Sequence, residues 1–160
     1  MAGLPDSVRR LAELSPVEDV VLALLRSALP EVPVQSLVTY PHPVPSVLVR
    51  RTYTFNDGTG DPRFLDTADL LVHCYAADPD GDSDAAILAE ACRVVLRDAW
   101  LKHRVVPGVG YLTKVAIRTP PRRVSDWNTS SGPVQYADLP EGTWRYEAQY
   151  SITVRPHRTR

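Results

Sequence analysis

The most pointed chemical pattern in the sequence is Asp78-Pro79-Asp80-Gly81-Asp82-Ser83-Asp84, which sets a carboxylate at every second position. That is how a calcium loop between two helices begins to collect its oxygen ligands. The remainder of such a loop is missing. Ser83 stands where the sharp-turn glycine belongs, Ala89 occupies the twelfth position in place of a bidentate glutamate, and the preceding residues read as a strand. The stretch is expected to be an acidic turn that places negative charge at a helix N-terminus, where orphaned N–H groups favour it.

Other chemistry finds even less support. Cys74, Cys92, His73 and His103 form no CxxC or HxxxH pair, and both cysteines fall on apolar faces, so zinc has no ligand set and no metal is expected. No serine occupies a glycine-flanked elbow between strand and helix, and no glycine-rich loop precedes a helix to hold phosphate. Neither catalysis nor a cofactor is expected.

A different kind of surface comes forward in the stretch from Pro120 to Gly142. Connections longer than about 15 residues are uncommon in a compact domain and tend to be functional or disordered. This one holds Trp127, Val134, Tyr136 and Leu139 beside Arg122, Arg123, Asp126 and Asn128. Disordered linkers are seldom so aromatic, and Trp, Tyr and Arg are the side chains that anchor protein interfaces. Arg122, Arg123, Asp126, Trp127, Asn128 and Tyr136 are therefore the expected contact residues. Asn56 and Asp57, in the polar, glycine-rich tip running to Arg63, form a second expected contact, an arm that orders on assembly.

The elements that must position these segments follow from periodicity. Ser15-Pro16-Val17-Glu18 has the form of a capping box with proline at the first helical position. Val20, Val21, Leu24, Leu25 and Ala28 continue it as one apolar stripe that ends at Leu29-Pro30. Three β-rich runs come next, Val34 to Tyr40, Ser46 to Phe55 and Asp66 to Ala76. The last two form an expected antiparallel hairpin across the turn residues Asn56 to Asp61. The third run is apolar on both faces, as expected of a central strand covered on two sides or of a sheet buried in an assembly. A helix from Ala85 to about His103, a strand from Tyr111 to Thr119 and a long final strand complete the order. In that final strand Trp144, Tyr146, Ala148, Tyr150, Ile152 and Val154 alternate with polar residues, so one face is buried. The expected fold is α+β: a mixed, largely antiparallel sheet of about five strands with two main helices packed on it, in the order α-β-β-β-α-β-β. Residues 1–160 are expected to form a single domain.

Composition restricts the partners. With 18 Lys and Arg against 19 Asp and Glu, the net charge of -1 gives no global attraction to nucleic acid or to an anionic membrane. Basic residues nevertheless gather at Arg50-Arg51, Lys102-His103-Arg104, Arg122-Arg123 and Arg155 to Arg160, leaving local contacts open. Two cysteines inside regular elements argue for synthesis in a reducing cytosol. The first fourteen residues lack the apolar run of a signal peptide, and no stretch reaches the roughly 18 to 20 apolar residues that span a bilayer, so a soluble protein is expected.

Several segments together resemble a known family. They are Val20-Val21-Leu22-Ala23-Leu24-Leu25-Arg26, Pro45-Ser46-Val47-Leu48-Val49-Arg50-Arg51, Asp66-Thr67-Ala68-Asp69-Leu70-Leu71-Val72 and Ala89-Glu90-Ala91-Cys92-Arg93. The stretches Arg118-Thr119-Pro120-Pro121-Arg122-Arg123 and Trp144-Arg145-Tyr146-Glu147-Ala148-Gln149-Tyr150 extend the similarity, which spans Ser15 to Pro156. The chain resembles the tail terminators of long, flexible-tailed bacteriophages, particularly those of actinobacterial hosts. That resemblance implies a small subunit, made in the host cytoplasm, that forms a hexameric ring on the head-proximal end of the tail tube of the virion. The ring would end tube polymerisation, meet the tail tube protein and the head-completion proteins of the connector, and pass genomic DNA through its lumen, with no membrane partner. A neck or head-completion protein of the same virion is the nearest alternative. A small nucleic-acid-binding domain is the more distant one, opposed by the near-neutral charge and the lack of an aromatic RNA-binding strand motif. Calorimetric titration with calcium is expected to show no micromolar binding; a micromolar site would reinstate Asp78 to Asp84 as a cation loop.

Overall fold

The computed structural model describes residues 3–11, 16–39, 41–55, 64–124 and 142–157. Among these residues three helices, α1 (Asp6–Leu11), α2 (Val17–Ala28) and α3 (Gly81–Leu101), accompany six strands: β1 (Val34–Gln35), β2 (Ser46–Phe55), β3 (Asp66–Ala77), β4 (Val105–Val106), β5 (Gly110–Arg123) and β6 (Thr143–Pro156). The strands form one sheet in the order β1-β2-β3-β6-β5-β4, antiparallel except for the β1–β2 pair. The expected α+β class is observed. The sixth strand is the two-residue β4, too short for any periodic run in the sequence to mark it.

Alternation explains where the core lies. Ala68, Leu70, Val72 and Cys74 point to one side of β3, and Ala148, Tyr150, Ile152 and Val154 to the same side of β6. Against them pack Val20, Val21, Leu24 and Leu25 of α2 and Leu88, Cys92 and Leu96 of α3. Burying a leucine completely is worth about 1.5–3 kcal/mol, so these two apolar stripes hold both helices on one face of the sheet. The Cys74 and Cys92 thiols lie 3.9 Å apart across that contact and remain unbridged. The Cys92 contact and burial push the Cys74 thiol well up, out of the range where a thiolate forms. Burial likewise pushes the nearby Tyr150 phenol up; its hydroxyl is buried with no hydrogen-bond partner among the described residues.

Several element boundaries differ from the sequence expectation. The first β run keeps only Val34–Gln35, because the chain leaves the sheet at Ser36 and carries Leu37 out to 71% exposure. The N-cap residue of α2 is Pro16, and no side-chain cap is made among the described residues; Ser15, the expected cap, lies outside them. Helix α3 starts four residues early, at Gly81, with Asp82 and Asp84 in its first turn. Most consequential, β5 continues through Pro120 and Pro121 to Arg123, so the expected loop from Pro120 to Gly142 begins only at Val124. Prolines are tolerated there because β4 covers only Gly110 and Tyr111, and the rest of β5 is an edge. Register shifts between Ile117, Thr119 and Arg122 absorb the irregular residues.

Among the described residues no helix packs on the opposite face of the sheet. Its buried corner is built from Leu48, Tyr75 and His73, and His42 sets its ring edge-on to Tyr75 at 4.6 Å. Burial, then the Arg145 guanidinium, then that of Arg50, lower the His73 pKa to about 4 against the opposing pull of Glu147, 3.9 Å away. His73 is thus neutral at pH 7 despite its acidic neighbour. In the unfolded chain the imidazole takes up a proton below about pH 6.5, which the folded protein resists until about pH 4. The stability this contributes is present above pH 6.5 and is lost as pH falls toward 4, up to about 3 kcal/mol. Urea unfolding of His73→Gln is expected to show a shallower loss than the parent over that interval; superimposable pH profiles would contradict it.

Candidate functional site

The acidic turn between β3 and α3 meets both ends of the segment 125–141, and this meeting point is the candidate site. Period-two alternation brings Trp144 and Tyr146 to the helix side of β6, beneath the first turn of α3. The Trp144 indole N–H donates to Asp78 Oδ1 at 2.6 Å, and the Tyr146 hydroxyl donates to Asp82 Oδ1 at 3.1 Å. Across the other Asp82 oxygen, Arg123 Nη1 donates at 3.3 Å while its guanidinium sits 5.5 Å from the centre of the Trp144 ring. Burial, followed by donation to Asp82, pushes the Tyr146 phenol up, so it stays a donor at neutral pH.

Backbone contacts close the same clasp. The Asp78 N–H donates to the Gly142 carbonyl and the Val124 N–H to the Arg145 carbonyl, each at 3.0 Å. Two glycines are required by space and conformation. A Cβ on Gly81 would collide with Cδ1 of Trp144, whereas Gly142 has φ +77 and would bring a Cβ within 2.8 Å of Asp78 Oδ2. Asp78 and Asp82 are therefore committed to hydrogen bonds that tie α3 to the root of the segment. Among the described residues no three His, Cys, Asp or Glu side chains are grouped so as to hold a metal ion. Asp82 and Arg123 are both nearly half exposed, so their ion pair contributes at most about 1 kcal/mol, and the clasp depends more on the indole and its close packing.

The expected contact residues divide. Arg122 and Arg123 point to opposite faces of β5: Arg123 joins the clasp, whereas Arg122 pairs at 2.8 Å with Glu147 on the helix-free face. Asp126, Trp127, Asn128, Tyr136, Asn56 and Asp57 lie outside the described residues. The two segments that hold those six leave the sheet at opposite ends. Phe55 and Thr67 align with Thr153 of β6, while Arg123 aligns with Tyr146, about 23 Å back along the strand at ~3.3 Å per residue. Of the basic groups, Arg50, Arg122 and Arg155 share the helix-free face, and Lys102 and Arg104 follow the end of α3. Sequence reading passed over Asp78, Gly81 and Trp144 as a unit. The available signal was a glycine within an acidic turn and an aromatic pair opening a strictly alternating strand.

No protein-family model and no curated protein matches this chain. Among solved structures it is similar to a chain of the virion of a native gene transfer agent particle, at 19% identity and a TM-score of 0.37. The likeness covers 85% of this chain and 84% of that one. Gly81→Ala is expected to cost about 1–3 kcal/mol in urea unfolding, because Trp144 must move, while exposed Ser83→Ala in the same turn stays within about 0.5 kcal/mol. Equal costs for the two variants would contradict the packing of the clasp.

Proposed function

We propose that this chain is a structural, non-catalytic virion subunit that forms a ring on the head-proximal end of a phage tail tube, ends tube polymerisation and joins the tail to the head connector. The observation that carries ring assembly is the pair of unlike open edges on the sheet. Among the described residues β5 has no strand partner on its outer side beyond Tyr111, and β2 has none beyond Leu48. Unpaired edges are templates for another chain, and two different edges on one subunit suit a head-to-tail contact, which closes into a ring when the rotation per subunit allows. The similarity of the segments from Val20 to Tyr150 to tail terminators supplies the specific role.

Termination is then a matter of unmatched interfaces. One face of the ring copies the surface that a tube subunit presents to the ring below, and the other lacks the complement that would admit another tube ring. The clasped root of 125–141 supports the expected contact at Trp127, by delivering that segment from a fixed point on the sheet. Tail tube protein, the head-completion protein and further copies of the chain are the proposed partners, with DNA crossing the lumen.

Electron microscopy of phage lacking this protein tests the role. Overlong tails are expected; filled tailless heads beside tails of normal length would instead assign a neck or head-completion role. Combining Trp127→Ala with Arg122→Ala and Arg123→Ala is expected to weaken oligomerisation or tail joining while the monomer stays folded. Normal infectious particles from that variant would remove the segment from the account.

A further inference from the structure

The near-neutral total charge conceals a one-sided distribution. Strand register places Arg50 of β2, Lys114 and Arg122 of β5, and Arg145 and Arg155 of β6 on the helix-free face. Arg118 joins them, with its Nε 3.9 Å from Asp69 on that face. Against these six cations the same strands set only two described carboxylates, Asp69 and Glu147. Depth accentuates the imbalance. The side chains of Asp69 and Glu147 are 11% and 20% exposed, whereas those of Arg118 and Arg122 reach 53% and 64%, and Lys114 and Arg155 are exposed too. The carboxylates fix the arginines from beneath, and the charge that meets solvent is positive.

We propose that this face binds the phosphate backbone of duplex DNA without reading its sequence, through Lys114, Arg118 and Arg122 in a row along β5, flanked by Arg155 and Arg50. Lys114 aligns with Thr153 and Arg122 with Glu147, so the row extends about 20 Å at ~3.3 Å per residue. That length matches roughly six base-pair rises of a duplex, a lattice that offers phosphates to every cation in the row. An acidic protein partner fits less well. Where side chains of this face are described, no aromatic anchor is exposed: Tyr75 is buried and Tyr111 half-buried, and Val105, on the marginal β4, is an exposed large apolar group. Protein interfaces draw most of their affinity from such anchors, whereas phosphate contacts need only placed cations. The inference rests on charge and register alone and holds whether or not the subunits close into a ring.

Fluorescence anisotropy of the full chain with labelled duplexes of two unrelated sequences tests it. Equal binding to both is expected, with a log–log salt slope of about -3 to -4 if three or four phosphates are neutralised at ~0.9 each. Lys114→Glu with Arg155→Glu, both on exposed positions, is expected to weaken binding at least about tenfold and flatten the slope. Lys102→Glu with Arg104→Glu, exposed beyond the end of α3, is expected to change it less than about twofold. Absence of binding at about 50 mM salt, equal losses in the two variants, or equally tight binding of polyglutamate would overturn the proposal. Any of those outcomes leaves the tail-length phenotype untouched, so this inference and the ring assignment fail separately.

Discussion

Everything in this molecule depends on the pairing of β3 with β6. The ladder runs without a register shift from Asp66 opposite Val154 to Ala77 opposite Thr143. Because side chains alternate with period two, an unbroken ladder keeps each face the same chemical kind from end to end. Leu70 beside Tyr150 and Val72 beside Ala148 face the helices; His73 beside Glu147 and Asp69 beside Ser151 face away. A slip by one residue would bury the second set under α2 and α3. The irregularities are confined to the neighbours, in β2 at Arg51 to Tyr53 and along β5, where bending the strand leaves the core undisturbed.

Much of this was legible in the sequence because it rests on local periodicity. The alternation from Trp144 to Val154, the helical stripe of Val20 to Leu25 and the turn residues between Phe55 and Asp66 each state their element within a short window. The two-sided apolar character of β3 fits its place between β2 and β6, although the described helices cover only one of its faces. What local reading missed were consequences of distant pairing. Pro120 and Pro121 look like breakers, yet Thr119 and Arg122 on either side of them pair with Gln149 and Glu147 of β6, and the register shift between absorbs the two prolines. Val34 to Tyr40 looks like a full strand, yet only Val34 and Gln35 find a neighbour in β2.

The candidate site shows the same division. The acidic turn was recognisable, and its failure to complete a calcium loop could be read from Ser83 and Ala89. Its actual occupation by Trp144, Tyr146 and Arg123 joins residues some 40 to 66 positions apart, and no window contains them. Arg122 and Arg123 were expected to act together, but adjacency in a strand means opposite faces. That separation leaves one arginine to brace the root of 125–141 and the other to strengthen the positive, helix-free face. A fixed root, two edges left open among the described residues and a charged sheet surface are the features on which the proposed assembly would draw.

The central claim, that this chain caps a tail tube as a ring, is tested most directly by its mass in solution and on purified tail tubes. Light scattering of the protein with and without tubes, followed by quantification of the bound chains, gives both numbers. The account predicts one ring of about six copies at one end of each tube, the closed heterologous assembly that the two edges allow. Failure to associate with tubes, or binding along their whole length, would contradict it.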